Sequence, residues 1–500
     1  MGQNRRMRFR GFRRALGALI PASLVAALCV APAAAKMDFP PGLPDHCKTG
    51  YRISEQWKVD VSRVVSDRIL VMDGRTVTLK GKGWRTSDPQ DPTWTLWFQS
   101  MAWLVPLALD DPEAAIRLLQ ERDRVLPDPG SRAANGDIRS MGWTQGQFRT
   151  RLETTTCLHE LTHDSRLLPI ATRLAEANMD PRRYPGLPYN RVHNHGAMSN
   201  VALLQAGKSF GVQEWIDTAL DRFHRDMPEV FDECGMMREQ SSGYQLHNVR
   251  LYQKAARLLG EPLGAPERAL GALVRPDGVM EAIGDGQPTT DVAPNGEALW
   301  CPNSGWAAAT VDGMHFTLRF GPSMKYHGHR DHGGITWFTH GIPVLSDRGL
   351  YDKDRGDRYT FAHDMASHSV FEPVGHPNLN PDTEGTRLSS TSYEFTDSDD
   401  GITRTRSVDV STDRLVVRDT GTGARDWIQH WQLAPGWTPT RSGAIHDSGA
   451  RLTIDCKNLK AVKVESFTAW RVAEPAWDLQ CRVSGDGTVA QKTTLTVVGP

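Results

Sequence analysis

The hydrophobic period of this 500-residue chain changes once, from the period of helices to that of strands, and the change limits what each half can become. From about residue 50 to 285, apolar residues recur at spacings of three and four, as in 112–120, 166–175, 197–206, 212–223 and 249–259. Asp110-Asp111-Pro112 and Asp180-Pro181 read as start or break signals, and Gly260 with Pro262 as a stop. After the polar stretch 285–297 the period shortens toward two, in 314–320, 335–339, 414–419, 427–433, 461–467 and 493–498. Short turns such as Asp312-Gly313 and Gly485-Asp486-Gly487 separate these runs. The pattern predicts an all-helical domain of paired hairpins over 36–290, then an antiparallel β-sandwich over 291–500, in which two sheets bury their apolar faces together.

Residues 1–35 are expected to be a secretory signal peptide. Arg5, Arg6, Arg8, Arg10, Arg13 and Arg14 precede the apolar run 15–30, and Ala33-Ala34-Ala35 offers a small-residue cleavage site. Export to the periplasm or the exterior follows, by the general route or, given Arg13-Arg14, by the twin-arginine route. Removing those six arginines takes the formal net charge from −1 to −7, which argues against a global attraction for nucleic acid or an anionic membrane. No later stretch has the apolar length needed to cross a bilayer. The six remaining cysteines (Cys47, Cys157, Cys234, Cys301, Cys456 and Cys481) permit disulfides in an oxidising compartment. Cys456 and Cys481 lie in neighbouring strand-like segments that can pair across a sheet.

Two groups of residues carry chemistry. In the second half, Tyr326-His327-Gly328-His329 is followed by Asp347 and by Ser367-His368-Ser369. Positions i and i+2 of a strand share a face, so His327 and His329 are expected to enter one site, one touching substrate and the other holding metal. His329, Asp347 and His368 supply two imidazoles and a carboxylate, a ligand set that suits zinc. His332 and His363 are alternatives for one of these ligands. In the helical half, His193-Asn194-His195-Gly196 opens a helix, where free N–H groups and polar side chains can receive an anion. Some fifty residues later, Glu239-Gln240-Ser241-Ser242-Gly243-Tyr244 sets a tyrosine beside small residues.

Together these segments resemble the heparinase II/III-like polysaccharide lyases, which include heparin and heparan lyases and several alginate lyases. Asn194-His195-Gly196 is similar to the family's first catalytic segment and Ser242-Gly243-Tyr244 to its tyrosine segment. His327-Gly328-His329, Asp347 and Ser367-His368-Ser369 are similar to its β-domain signature, and the resemblance spans roughly residues 90 to 390. It implies an incomplete (α/α) toroid packed on an antiparallel β-sandwich, and a zinc ion held mainly for structure at His329, Asp347 and His368. It also implies an enzyme whose partner is an anionic uronate polysaccharide, cleaved by β-elimination. The chain departs from the family pattern after His368, where Ser369-Val370 replaces Asn followed by Thr or Ser, and at Asp331-His332, which adds an imidazole.

Uronate elimination explains why such residues are wanted. Removing the C5 proton spreads charge onto the carboxylate, which must be neutralised before a weak base can act. Asn194 is nominated as the donor to the developing aci-carboxylate, assisted by His327. His195 and Tyr244 are nominated as the base for C5 and the acid for the departing O4. Their order depends on the stereochemistry at C5, since syn elimination can use the tyrosine alone. Tyr359, near Arg355 and Arg358, resembles a further active-site tyrosine of the family and is expected to contact substrate.

Two rival readings come from other classes. His159-Glu160-Leu161-Thr162-His163 matches the H-E-x-x-H pattern of zinc metalloproteases, although Asp164 follows directly and neither Glu176 nor Asp180 makes a convincing third ligand. A non-catalytic polysaccharide-binding protein is the other, with Trp94, Trp97, Trp103 and Trp143 stacking on sugar rings instead of filling helix-packing cores.

Overall fold

The computed structural model describes residues 38–88, 91–126, 141–188, 192, 194–353 and 355–500, the side chains of Pro92 and of 141–145 excepted. The expected signal peptide lies outside these residues, as do His193 and the Trp143 side chain. Leu43–Pro500 forms one compact unit.

Its first half carries helices α1 (Cys47–Gln56), α2 (Pro92–Ser100), α3 (Leu104–Asp110), α4 (Pro112–Val125), α5 (Met141–Thr162), α6 (Leu168–Met179), α7 (Asn194–Phe210), α8 (Gln213–Val230), α9 (Ser242–Leu259) and α10 (Ala265–Ala272). Their ends have local causes. The Asp111 carboxylate accepts from the Ala114 N–H at 2.9 Å, with Pro112 in the first turn, and so starts α4. Ser241 caps α9 by accepting from the Tyr244 N–H, and Gly260, at φ +75°, ends it in the left-handed conformation that glycine tolerates. The apolar stripes close on one core that includes Leu104, Leu119, Leu152, Leu174, Leu204 and Val249.

This half is not wholly helical, contrary to the expectation from its period. Strands β1 (Ile69–Met72) and β2 (Arg75–Thr78) form an antiparallel hairpin around Asp73-Gly74, both at positive φ. Two consecutive positive φ angles match the twist of a tight hairpin, and Asp-Gly supplies them cheaply.

The second half is antiparallel sheet. A five-stranded sheet runs in sequence order through β3 (Leu299–Cys301), β4 (Trp306–Val311), β5 (Met314–Arg319), β6 (Ile335–Thr339) and β7 (Ile342–Leu345). A short helix, α11 (Asp357–His363), precedes β8 (Phe371–Pro373), β9 (Thr383–Arg387), β10 (Ser392–Asp399), β11 (Ile402–Val410), β12 (Arg414–Thr422) and β13 (Asp426–Gln432). The chain ends with β14 (Trp437–Thr440), β15 (Gly443–His446), β16 (Arg451–Asp455), β17 (Leu459–Ala469), β18 (Val472–Ser484) and β19 (Val489–Val498). Eight of these strands form one sheet in the order β14-β15-β16-β19-β12-β11-β10-β9, and four form another in the order β17-β18-β13-β8. Phe316 and Trp337 of the first sheet, Val408, Leu415 and Leu495 of the second, and Trp431 and Leu479 of the third share one core. Alternation is clearest in β10 and β11, where every second residue is buried, as a sheet with one wet face requires.

The two halves are tied together. The helical core continues into Leu299, Cys301 and Trp306 of the first two sheet strands, and the disulfide Cys234–Cys301 links the loop after α8 to β3. Cys47–Cys157 joins α1 to α5, and Cys456–Cys481 lies in the β17–β18 region where sequence alone suggested it. No helix among the described residues is long and apolar enough to cross a membrane.

His430 shows how a buried imidazole stabilises the sheets. Its Nδ1 and Nε2 each meet a carboxylate at 2.7 Å, from Asp478 and Glu372. Burial pulls the imidazole down, but the two carboxylates outweigh it and raise it from 6.5 to about 9. A raised value in the folded state means that this contribution is whole below pH 6.5 and is lost as pH climbs through 9. Tm of the native protein is therefore expected to fall between those values by more than Tm of His430→Gln, and parallel curves contradict the assignment.

Candidate active site

Three stretches of backbone converge because small residues let them. Gln240 lies between the two halves, its Nε2 donating to the Pro322 carbonyl at 2.7 Å and its Oε1 accepting from the Lys325 N–H at 2.8 Å. Next to it, the Ser241 hydroxyl donates to the Asp285 carbonyl at 2.7 Å and the Ser242 hydroxyl to the Glu281 carbonyl at 2.7 Å. A Cβ on Gly284, at φ +65°, would lie 2.6 Å from the carbonyl oxygens of both Gln240 and His327. One on Gly243 would lie 2.8 Å from the Asp285 carbonyl oxygen. Only glycine permits both approaches. The residues around Tyr244 are thus buried and fastened.

The consequence is a direct meeting of helix and sheet residues. Tyr244, in the first turn of α9, stacks on His327 with ring centroids 3.4 Å apart and planes 7° from parallel. Lys353 donates its ammonium to the Tyr244 hydroxyl. Asn194 and His195, the first two residues of α7, line a cavity of about 480 Å³ with Tyr244, His247, Asp285, Lys353 and Trp470. Asn194 also borders a neighbouring cavity of about 280 Å³ that includes Arg238, Glu239, Lys325 and Tyr326.

Asp285 organises the imidazoles. It opens the polar stretch 285–297, yet it is only 8% exposed and sits at the centre of the site. Its Oδ2 accepts from His327 Nδ1 at 2.9 Å, and its Oδ1 lies 3.2 Å from His329 Nε2 and 3.4 Å from His363 Nε2. Burial pushes this carboxyl up, but hydrogen bonds from the three imidazoles outweigh it and hold it below its ordinary range. Nearby, burial pushes Glu239 up by more than His327 and Lys353 pull it down. Burial and then the Lys353 charge bring His247 down to about 4, so its ring is neutral near pH 7.

Behind this layer, the ligating atoms of His329, Asp347 and His368 fall within 4.8 Å of one another. Asp285, His329 and His363 form a second such group that shares His329. His368 Nδ1 donates to Asp347 Oδ2 at 2.7 Å, while His329 uses Nε2 on Asp285. The remaining nitrogens, His329 Nδ1 and His368 Nε2, are fully buried without a hydrogen-bond partner. An unprotonated imidazole nitrogen in that position is a lone pair waiting for a cation, so the residues fit a metal. Burial works against charging both partners, yet His368 is pushed up and Asp347 held down by each other's charge. His332 instead sets its Nε2 3.0 Å from the Pro322 carbonyl and joins neither group. A third grouping, Asp232, Cys234 and Cys301, offers no thiolate because its sulfurs are bridged.

Tyr359 stands on α11, stacked on His363 at 4.0 Å, and His363 Nδ1 donates to its carbonyl at 2.7 Å. Arg358 is occupied by Glu465, with two contacts of 2.7 Å. The H-E-x-x-H segment is elsewhere: α5 ends at Thr162, and His163 has already left it at φ +53°. The His159 and His163 rings are nearly perpendicular, and His159 Nδ1 pairs with Ser209 at 2.9 Å. Among the described residues, neither histidine nor Glu160 belongs to a metal-holding group. Trp94 and Trp103 are buried core residues, which removes them as sugar platforms. Sequence reasoning missed Asp285, Lys353 and Trp470 as site residues. The one available signal was Gly284-Asp285-Gly286, an acid between two glycines.

No family model matches the chain, and no curated protein matches it by sequence. Solved structures do match. A mutant of the heparan sulfate lyase HepC from Pedobacter heparinus aligns with TM-score 0.67 and 16% identity, covering 85% of this chain and 80% of that one. A heparinase III gene product with methylated lysines aligns with TM-score 0.66 and 16% identity, over 83% and 80%. A further heparinase III crystal structure aligns with TM-score 0.66 and 15% identity, over 85% and 81%. The chain therefore has the heparinase III-like fold of heparan sulfate lyases, at an identity too low to carry substrate or mechanism with it.

Proposed function

We propose that this chain is an exported polysaccharide lyase that cleaves a uronate-containing polysaccharide by β-elimination. The observation that carries this reading is the stack of Tyr244 on His327, beside a cavity lined by Asn194 and His195. The helical and sheet halves are read as an incomplete (α/α) toroid (36–290) and a β-sandwich (291–500). The last helix of the first half ends at Ala272, and the sheet strands begin at Leu299. The Arg-rich leader and three disulfides support export.

In this mechanism the uronate carboxylate lies against Asn194, whose N–H donors bind the developing aci-carboxylate more strongly than the ground state. His327 assists, held in orientation by Asp285. His195 and Tyr244 divide the two proton transfers, one taking the C5 proton and the other protonating the departing O4. When both lie on the same face of the sugar, Tyr244 carries both. Lys353 supplies a cation at the oxygen that bears charge whenever the phenol is deprotonated. Tyr359 borders the imidazole layer and contacts substrate from that side.

His329, Asp347 and His368 would hold a zinc ion, whose chemistry there would be to fix the three side chains and match the buried lone pairs that His329 Nδ1 and His368 Nε2 otherwise leave unmatched. Metal analysis is expected to find about one zinc per chain, lost in His368→Ala, and a chelator is expected to lower Tm. A metal-free chain with an unchanged Tm contradicts the assignment.

The direct test is incubation of purified protein with heparan-type, hyaluronan-type, alginate and glucuronan chains, with product sizing. At least one is expected to yield fragments carrying the ultraviolet band of an unsaturated uronate. Binding without such a product would favour a non-catalytic polysaccharide-binding protein, and neither binding nor product would sink the reading.

A further inference from the structure

A single exposed aromatic needs no explanation in most proteins. Trp470 differs on two counts. It is 50% exposed, whereas Trp84, Trp94, Trp103, Trp306, Trp337, Trp427 and Trp431 are fully buried, so its position gives up much of the stabilisation that burial offers an indole. It also lines the cavity that contains Asn194, His195 and Tyr244, although it comes from the far end of the sequence.

The segment that carries it is held by its neighbours. Ala469 pairs with Val472, so Trp470 and Arg471 form the two-residue tip of the β17–β18 hairpin, the longest ladder of the four-stranded sheet. Arg471, at φ +59°, donates its N–H to the Tyr351 carbonyl at 2.9 Å and its Nε to Asp352 at 3.1 Å. Phe467, three residues before Trp470, is buried with Leu350 and Ala362. The hairpin tip is thereby fastened to the segment that leads into Lys353, the residue that reaches Tyr244.

The same cavity is lined by His195 and Met198 of α7 and by Leu350 and Lys353. Trp470, Met198, Leu350 and the Lys353 cation line a cavity of about 480 Å³ together with Asp285, whose oxygens are taken up by His327 and His329, and this lining suits a flat, amphipathic ring with one carboxylate. Ligand cavities of roughly 300–1,000 Å³, mostly apolar with a few placed polar groups, have this character. A pyranose offers its C–H face to an indole and its carboxylate to an ammonium.

We propose that Trp470 is a sugar-stacking platform that binds a pyranose ring of the uronate polymer beside Tyr244. This rests on the lyase reading and adds to it a residue that sets substrate affinity. A preformed platform lowers the cost of holding a flexible chain, because an indole has few rotamers to lose. Trp470 touches substrate without touching the reacting atoms, so it acts on binding more than on chemistry.

Binding is measured on the Tyr244→Phe protein, which prevents turnover, with hexasaccharides from heparan-type, hyaluronan-type and alginate chains. The readouts are calorimetry and quenching of tryptophan fluorescence. Adding Trp470→Ala is expected to weaken the tightest of these complexes about tenfold, as for an aromatic anchor at a binding site, and Trp470→Phe to restore most of the loss. In the active protein, Trp470→Ala is expected to raise KM for the polymer by about the same factor and to lower kcat much less. Its Tm should stay near that of the native protein, because the indole is half in solvent. Unchanged affinity in Trp470→Ala, in a protein that still cleaves, overturns the platform and leaves the lyase reading standing. Failure of the native protein to bind or cleave any of these three chains or glucuronan overturns both.

Discussion

Tyr244→Phe is expected to abolish the ultraviolet-absorbing product while leaving the fold intact. The substitution removes one oxygen and keeps the ring, so the stack on His327 and the start of α9 at Ser241 both survive. What disappears is the group that exchanges a proton with substrate and the acceptor for the Lys353 ammonium. A positioned acid or base contributes about 10²–10⁴-fold to a rate, and the upper end applies where one hydroxyl serves both transfers. A fall in kcat of that size is expected, with KM within about threefold of the native value, the pattern of an interaction made mainly in the transition state. Full activity in Tyr244→Phe would remove the tyrosine from the mechanism. A loss of activity matched by a loss of Tm would assign it a structural role only.

Asp285→Ala is expected to damage stability and turnover together. Its carboxylate faces His327, His329 and His363 inside the molecule, where an unpaired imidazole is costly. Leaving a buried hydrogen-bonding group without its partner typically costs about 1–3 kcal/mol, and the vacated volume adds to that. The second effect is on His327, which loses the acceptor that fixes its ring and proton. Asp285→Asn keeps the volume and one acceptor, so it should lie between the native protein and Asp285→Ala in denaturant midpoint and in kcat. Native-like unfolding and turnover in Asp285→Ala would mean that this carboxylate does not organise the site.

The parts of the molecule fixed by local pattern were readable in advance. The runs 314–320 and 493–498 became β5 and β19, and 112–120 became α4, because period and capping act within a few residues of each other. The hairpin at Asp73-Gly74 carried an equally local signal and was absorbed into a helical half by the period around it. At the site, Tyr244 and His327 stood out by residue type and motif, whereas their stacking depends on Gln240 and on glycines that let three backbones touch. Asp285 reads as the start of a polar stretch because its chemistry is not visible in its sequence neighbours, and its true neighbours lie 42 and 44 residues away. Lys353 and Trp470 carried no signal at all. A lysine or a tryptophan acquires a role at a cavity only when the sheet brings it there.

If residues from the two halves act on one sugar acid by elimination, isotope labels will separate that chemistry from hydrolysis. A uronate polymer carrying deuterium at C5 is to be cleaved by the native protein in heavy-oxygen water, and the products weighed. Elimination is expected to yield fragments whose new non-reducing end has lost the C5 deuterium, with no heavy oxygen incorporated and with a slower rate for the deuterated polymer. Fragments that keep the C5 deuterium and gain heavy oxygen would mean hydrolysis, and would contradict the chemistry assigned to Asn194, His195, Tyr244 and His327.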